Sequence, residues 1–539
     1  MSNNIVQVNV SQSVAPTPSG LQKTGAFLSQ GGTTLAQGAS ALLTSTADLA
    51  AILAAVKPLY SLTWSGGVVT ATTEQFSATG TYNDVTGIVT LTLTPFSTIA
   101  VGDNVVVSGA AGTGAFADID GPFVAGAGSG GATLNYTIAA GLTMTISGAT
   151  VNTTHGITLT DTFLTTIAGA APSAYDGTVI ATATTATEFT YPLAADPLTS
   201  PATGTITYTP RNVAELTSMG ATFFAQGSGQ AVYVLELGAG EDAAAIAYLD
   251  TWIAANPTEF YSYLVPKSWS ASSAYRTLVA KFDANTAKTY FFTTMTTGNY
   301  TSFTAEMKSV VGHVESPDAP DTEFSAASDF RVTLNYAPSP TNKVAPLAFS
   351  YLFGVTPYPT RGNGALMTSL KAAGVNYVGT GAEGGISSEI LFWGTTMDVR
   401  PFTYWYSVDW IQINTQLDIA NAVINGSNDP VNPLYYNQNG IDRLQAVGAG
   451  TLSSAVSYGL ANGTVTQTAL TPSEFTDALD AGTFNGQLVI NAVPFIPWCQ
   501  ANPSDYKNET YGGFTVVYVT QNGFIQIIFN INVTDFITQ

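Results

Sequence analysis

The stretch AVYVLELGAGEDAAAIAYLDTWIAANPTEFYSYLV, residues 231–265, sets the fold class. It opens on a nearly continuous apolar run of strand length, the pattern of a strand buried on both faces. A Gly-Ala-Gly turn follows, and Glu241 and Asp242 then stand in the first turn of a helix, where carboxylates meet the positive end of the helix dipole. Ile246, Leu249 and Ile253 form one apolar stripe, Asn256 and Pro257 close the helix, and EFYSYLV (259–265) starts a second strand. SSAYRTLVAKF (272–282) and KTYFFTTM (288–295) add a helix and a strand. A β-α-β-α-β run of this kind predicts a partly parallel sheet covered by helices.

Upstream, TADLAAILAAVKPLY (46–60) reads as a helix stopped by Pro58, so residues 21–60 and 211–361 are expected to form one discontinuous α/β domain. Between them, residues 61–210 change texture to Thr, Gly, Val and Ala, with short alternating strands that predict an inserted all-β, sandwich-like outer domain. Within it the runs at 87–110 and 156–210 look alike, which leaves an internal duplication open. Downstream, residues 362–539 read as an inner α+β domain. It has a helix over ALMTSLKAAG (365–374), an aromatic cluster YWYSVDW (404–410) opening a longer helix, and a Pro/Asn loop. The overall class is a multidomain α+β or α/β protein.

Both ends alternate. IVQVNVS (5–11) places Ile5 before Val6, Val8 and Val10 on one face, and APTPSG (15–20) follows as a joint, so residues 1–20 read as a strand arm and hinge. At the other end Ile525, Ile527, Phe529, Ile531 and Val533 share one face, behind an Asn522-Gly523 turn that signals a hairpin with TVVYVT (515–520). Unpaired strands at chain ends are templates for another chain.

The composition narrows function. In 539 residues, 15 Lys and Arg face 36 Asp and Glu, a net charge of −21 that repels nucleic-acid phosphate and anionic lipid. Only 9% of residues are charged, and a surface of Thr, Ser, Asn and Gln costs little to desolvate, which suits contact with further copies of the chain. The single Cys499 excludes an internal disulfide framework. MSNNIVQVNV lacks a basic n-region and no apolar run reaches the ~18 residues of a membrane span, so a soluble chain without a cleavable signal is expected.

Catalytic constellations are scarce. Only His155, in the β-rich region, and His313, assigned to a surface loop, are present, so a His-rich metal site is excluded. GTGAEG (379–384) matches a dinucleotide fingerprint, but Glu383 stands where phosphate would sit and the glycines read as tight-turn residues. Gly238 and Gly240 precede Glu241 and Asp242, which would repel a phosphate. Glu383, Glu389, Asp398 and Asp409 lie near Trp393, Trp405, Tyr406 and Trp410, the raw material of a glycan-cleaving site, although such aromatics more often build cores and interfaces. The reading is of a chain without enzymatic activity, cofactor or metal.

The segments GSGQAVYVLELG, AAIAYLDTWIAANPTEFYSYLVP, LKAAGVNYVGTGAEGGISSEILFWGTTMD, YWYSVDWIQINTQLDIANAVINGSN and PLYYNQNGIDRL, in that order, resemble the tail sheath proteins of contractile-tailed bacteriophages. The resemblance spans roughly residues 20–60 and 211–539 and leaves 61–210 outside. It implies a virion structural protein, assembled in the host cytoplasm into a helical sleeve around a tail tube, whose contraction drives the tube through the host envelope for genome ejection. The implied partners are copies of itself joined by strand exchange, the tail tube protein, and baseplate and tail-terminator proteins, with no nucleic acid and no direct membrane insertion. Gln412, Gln416, Asp418 and Asn421, a polar face of the helix after Trp410, are the expected tube contacts, with Ile413, Leu417 and Ile424 on its core side. The alternative is a glycan-binding surface adhesin or S-layer-like structural protein that uses its β-rich region.

Overall fold

A computed structural model describes residues 21–524, apart from 55, 74, 95–98, 100, 115, 154–161, 186–187, 211, 228–230, 239, 285, 304–305, 334–337, 361 and 383–385. The chain forms two compact units, one of Phe27–Gly220 with Val234–Ala255, the other of Ala221–Tyr233 and Asn256 onward with the residues before Phe27. The terminal arm residues Ile5, Val6, Val8, Val10, Ile525, Ile527, Phe529, Ile531 and Val533, and also His155 and Glu383, lie outside the described residues.

The first unit begins within β1 (Gly25–Ser29), followed by β2 (Ser40–Leu43) and α1 (Thr46–Ile52). Ser45 accepts from the Asp48 amide at the start of α1, and Asp48 in turn accepts from the Thr44 amide at 2.8 Å. The helix is shorter than its sequence predicts. Thr34 N–H bonds Ile52 O at 2.8 Å and Ala54 N–H bonds Gly32 O at 2.8 Å, so pairing with the 32–34 segment draws the chain out of the helix well before Pro58.

From Lys57 to Pro210 the described elements are strands, with two short 3-10 helices (Phe116–Ile119 and Ser173–Tyr175) in the connections: β3 (Lys57–Ser65), β4 (Val68–Thr73), β5 (Gln75–Tyr82), β6 (Ile88–Thr94), β7 (Asn104–Gly114), β8 (Gly121–Val124), β9 (Thr133–Thr137), β10 (Met144–Thr153), β11 (Thr162–Ala168), β12 (Gly177–Thr185), β13 (Glu188–Pro192) and β14 (Thr207–Pro210). In place of a two-sheet sandwich they make a closed barrel, β11-β12-β13-β4-β3-β14, and a six-stranded sheet, β8-β7-β10-β5-β6-β9. Each has its own apolar core, Leu62, Ala71, Phe189 and Tyr208 in the barrel and Phe76, Leu91, Val107 and Val151 in the sheet.

The two are one fold used twice. Taken in chain order, β5 to β10 correspond to β3, β4 and β11 to β14, and under that mapping the sheet order becomes β12-β11-β14-β3-β4-β13, the order of the barrel. Hydrogen bonds repeat with it. Asp120 Oδ1 accepts from the Ala110 amide at 2.9 Å, and Asp176 Oδ1 accepts from the Ala170 amide at 3.0 Å. Each aspartate precedes a glycine, Gly121 or Gly177, with φ of 143°, a conformation L side chains rarely adopt. The residue before each aspartate offers its carbonyl to a buried tyrosine on a later strand: Tyr136 to Ile119 O at 3.2 Å, and Tyr191 to Tyr175 O at 3.1 Å. One copy is nested between β4 and β11 of the other, and its first and last strands pair, Gln75 opposite Asn152.

The unit closes with α2 (Asn212–Ala225), β15 (Val232–Glu236) and α3 (Asp242–Ala255); α2 and β15 run across its boundary. Ala245, Ile246, Leu249 and Ile253 are the buried stripe of α3, as its periodicity predicts. Glu236 is buried and accepts from Ser29 Oγ at 2.6 Å, Thr33 Oγ1 at 2.7 Å and the amides of Gly31 and Gly238, both at 2.7 Å. A carboxylate this well supplied with donors fixes the loop after β1.

The second unit contains β16 (Ser262–Leu264), α4 (Ser273–Lys281), β17 (Tyr290–Met295), β18 (Val310–Val314), α5 (Ser325–Thr333), α6 (Gly364–Ala372), β19 (Val375–Ala382) and β20 (Ile386–Phe392). Strands β16 to β19 are parallel neighbours and β20 returns antiparallel. Every residue of β17 and β18 is buried. His313 is therefore not a surface loop residue. It stands in β18, where its Nδ1 meets Asp329 Oδ2 of α5 at 2.7 Å. Gly379 lies within β19 opposite Ile390, not in a tight turn, and β19 leads into a strand, so GTGAEG lacks the following helix that a dinucleotide site needs.

The remainder is α7 (Phe402–Ser427), α8 (Gln438–Ser457), β21 (Ala461–Asn462), β22 (Thr464–Thr468), α9 (Pro472–Asp480), β23 (Gln487–Ala492), α10 (Phe495–Ala501), α11 (Pro503–Lys507), β24 (Phe514–Val517) and β25 (Val519–Thr520). The helices α7 and α8 pack as a hairpin, and α8 lies on the sheet β22-β23-β24. A Cβ at Gly448 would stand 2.5 Å from Ile490 Cδ1, so glycine permits that close approach. Gln445 Nε2 ties the helix down, donating to Thr468 O at 2.7 Å and Ile490 O at 2.8 Å.

The repeated aspartates give a paired test. Asp176→Ala leaves the Ala170 amide without its acceptor and should destabilise the barrel by about 1–3 kcal/mol, and Asp120→Ala should do the same to the nested sheet. Calorimetry should show each substitution lowering one transition; equal shifts of both transitions by either variant would count against two independently packed copies.

Candidate assembly groove

A cleft of about 1100 Å³ lies in the second unit. Its lining runs along the chain from Val516 through Thr520 to Asn522, and faces Glu306, Asp398–Arg400 and the first turns of α7 at Tyr404, Trp405 and Val408. The strand β24 pairs with β23 through Phe514–Val517 and, among the described residues, with no strand on its other side. Among the described residues that edge of β24 is open, and it borders the cavity.

The opposing wall is fixed by charge and aromatic contacts. Trp405 is buried and donates Nε1–H to Asp398 Oδ2 at 2.8 Å. Lys308 Nζ lies 4.6 Å from its ring centroid and the Arg400 guanidinium 5.7 Å, with Arg400 also 4.8 Å from Tyr404. Asp398 Oδ1 accepts from the Thr396 hydroxyl and, at 3.0 Å, from the Arg400 amide. Val399, held at φ 65° in the turn between them, is left partly exposed. Burial lowers the pKa of Lys308, whose Nζ also donates to Ala287 O at 2.7 Å. Tyr518 is pushed up to about 12 by burial, then by Tyr404 and Asp409.

Asp409 stands one helical turn behind Trp405 and is fully buried. Its Oδ2 accepts from Tyr261 and Tyr290 hydroxyls, each at 2.8 Å. Burial raises its pKa to about 6, against the opposing pull of those two hydrogen bonds and of Lys308 and Lys288. Its other oxygen, Oδ1, has no hydrogen-bond partner among the described residues.

Among the carboxylates weighed for glycan cleavage, Asp398 lines the groove beside Trp405, whereas Asp409 is sealed beneath two tyrosines and Glu389 belongs to β20. Asp409, closed to solvent, has no route to a substrate and cannot act as the partner of Asp398 in such chemistry. The expected tube-contact set also divides. Gln412 and Gln416 are exposed on α7, but Asp418 accepts from Thr451 Oγ1 of α8 at 2.6 Å and Asn421 is half-buried. Ile413 and Leu417, expected in the core, are half-buried, and Ile424 is 59% exposed and is not a core residue. Sequence reasoning missed Glu306 and Arg400, which periodicity cannot flag, since both sit in irregular segments. No helix among the described residues is long and apolar enough to cross a membrane.

No family profile matches the chain and no curated protein sequence does. Among solved structures it is similar to the anti-feeding prophage baseplate, at 16% identity over 58% of this chain and 79% of that one, with a TM-score of 0.38. It is similar to the sheath tail protein of Listeria innocua, at 11% identity over 83% and 87% of the two chains, with a TM-score of 0.35. A sheath tail protein of Desulfitobacterium hafniense is similar at 9% identity over 85% and 91%, with a TM-score of 0.34.

The raised pKa of Asp409 has a defined sign. Its folded value, about 6, lies above its ordinary 3.8, so the folded state holds the proton more tightly and stability falls as pH rises from about 4 to about 6. Asp409→Asn keeps the acceptor for the tyrosines without the charge. Denaturant unfolding across pH should show the variant equal to the parent near pH 3.5 and more stable at pH 7, by as much as about 3 kcal/mol; a variant less stable than the parent at pH 7 would overturn the assignment.

Proposed function

We propose that the chain is a self-assembling structural subunit of a contractile tail sheath, and that the open edge of β24 receives a terminal strand from a neighbouring copy. One observation carries the reading: a strand edge, Phe514–Val517, that has no strand partner among the described residues borders a cleft about 1100 Å³ in volume. The ordered resemblance of roughly residues 20–60 and 211–539 to sheath proteins supports it, as do the alternating sequence patterns at both chain ends and the low fraction of charged residues.

Strand addition joins two chains through backbone hydrogen bonds, while side-chain pockets set register. Each bond contributes roughly 0.5–1.5 kcal/mol net. A donor segment and an acceptor edge are different surfaces, so each subunit binds the next head to tail and the contact propagates into rings or helical filaments. In such a lattice the joint APTPSG (15–20) would let subunits reorient while staying linked, and a second packing arrangement would supply the contracted state. The tail tube, baseplate and terminator proteins are the further partners on this reading, with Gln412 and Gln416 the α7 side chains free to touch the tube. Residues 61–210 serve as an outer decoration, since the resemblance passes over them and both their cores are self-contained.

Removal of residues 1–12, or of everything after Gly523, should leave a folded chain that forms no tubes in negative-stain images; normal tubes from either truncation would sink the strand-exchange reading. Excision of residues 75–153, whose ends are paired, should by contrast leave assembly intact and narrow the tube wall. Loss of assembly on that excision would place the nested sheet in the lattice and not outside it.

A further inference from the structure

Two surfaces of the second unit display apolar side chains on rigid backbone. One is the tip of the α7–α8 hairpin, where Val431 is 90% exposed and Tyr435 65%, close in sequence to exposed Ile424. Hydrogen bonds hold the tip: Asp429 Oδ1 takes the amides of Val431 and Asn432 at 2.9 and 3.2 Å, and Arg443 Nη1 reaches Asn432 O and Pro433 O at 3.1 and 3.2 Å. The Leu434 amide bonds Gly426 O at 2.9 Å. The second surface is the segment 349–353 beside β20. Phe349, Tyr351 and Phe353 are exposed at alternate positions, with Tyr351 at 63%. Their backbone is tied by Phe349 N–H to Leu391 O at 2.7 Å and by Gln226, which bonds both Phe353 N–H and O at 2.9 and 2.7 Å.

A loop fixed by this many bonds while presenting valine and tyrosine to water has already met the ordering cost of a contact. The occupant follows from charge. Copies carrying −21 each repel, so self-contact is least opposed where charge is missing. Residues 344–360 contain no charged side chain, and residues 419–441 contain only Asp429, which its own loop engages. The two surfaces are unlike each other, as a head-to-tail contact requires.

We propose that the hairpin tip at Val431 and Tyr435 docks on the Phe349–Tyr351–Phe353 edge of a second copy of this chain, as a lattice contact separate from strand exchange. The proposal deepens the sheath reading and rests on it. The test compares the full chain with Val431→Asp, Tyr351→Asp and an equimolar mixture of Val431→Lys with Tyr351→Asp chains. Assembly is followed by sedimentation and negative stain, and near-ultraviolet circular dichroism checks the fold. Each Asp variant should raise the concentration needed for assembly at least tenfold with an unchanged fold, and the Lys and Asp chains should co-assemble more readily than either alone. Assembly of both Asp variants at the parent's concentration overturns the contact and leaves the sheath reading standing. A defect in only one of the two overturns this pairing in favour of another partner for that surface, and a parent chain that never assembles overturns both readings.

Discussion

A strand with no exposed residue must be covered on both faces, and the second unit is organised around two of them, β17 and β18. Their apolar residues supply the driving force for packing, but the cover they demand also takes polar groups out of water, where each needs a partner. His313 meets Asp329, Asp409 collects two tyrosine hydroxyls, and Asn376 is held by three bonds, to Gly312 O, Thr395 O and the Thr395 amide. Groups that look like chemistry in the sequence are thus fasteners of a buried sheet. The groove inherits its stiffness from them, because Asp409 and Trp405 lie one turn apart on α7, the first bonded to Tyr261 and Tyr290 near the parallel sheet and the second facing the cleft.

How much of this the sequence discloses depends on the length of the periodic signal. The α3 stripe is long, strongly patterned and found where expected, and short strands, Val232–Glu236 and Ser262–Leu264, precede and follow it in sequence. Helix α1 has a helical sequence for longer than it has a helical structure, since the pairing of Ala54 with Gly32 is non-local and leaves no trace in its own residues. His313 misleads for a related reason: a histidine in a Gly-containing run, VVGHVES, reads as a turn until the strand beside it and Asp329 beneath it are known. The groove itself is least legible. It joins residues around 306, 400 and 518, and no local pattern links them.

The nested β modules are half legible. Thr, Gly and Ala dominate both, so sequence similarity between the copies is diluted by residues that would match anyway. What persists is the part with a physical job, the aspartate that bonds an amide, the glycine with φ of 143° after it, and the tyrosine that reaches the preceding carbonyl. Those constraints are repeated faithfully while the strands between them drift, and the copies have diverged in one respect of shape: the barrel pairs β12 with β13, whereas the corresponding seam of the nested sheet is bridged at Gly126 and Asn135, beside the stacked rings of Phe123 and Tyr136.

The way the nested copy is attached has a mechanical meaning. Its entry and exit, Gln75 and Asn152, are cross-strand partners, so the two points from which it hangs lie about 5 Å apart, one strand spacing. A body held at two neighbouring points on one side can be carried and turned, but it cannot be stretched by pulling on the chain that bears it. Tension running through the backbone would cross the gap at its neck and bypass the 78 residues from one end of that pair to the other. The nested sheet is ballast to whatever load its host transmits.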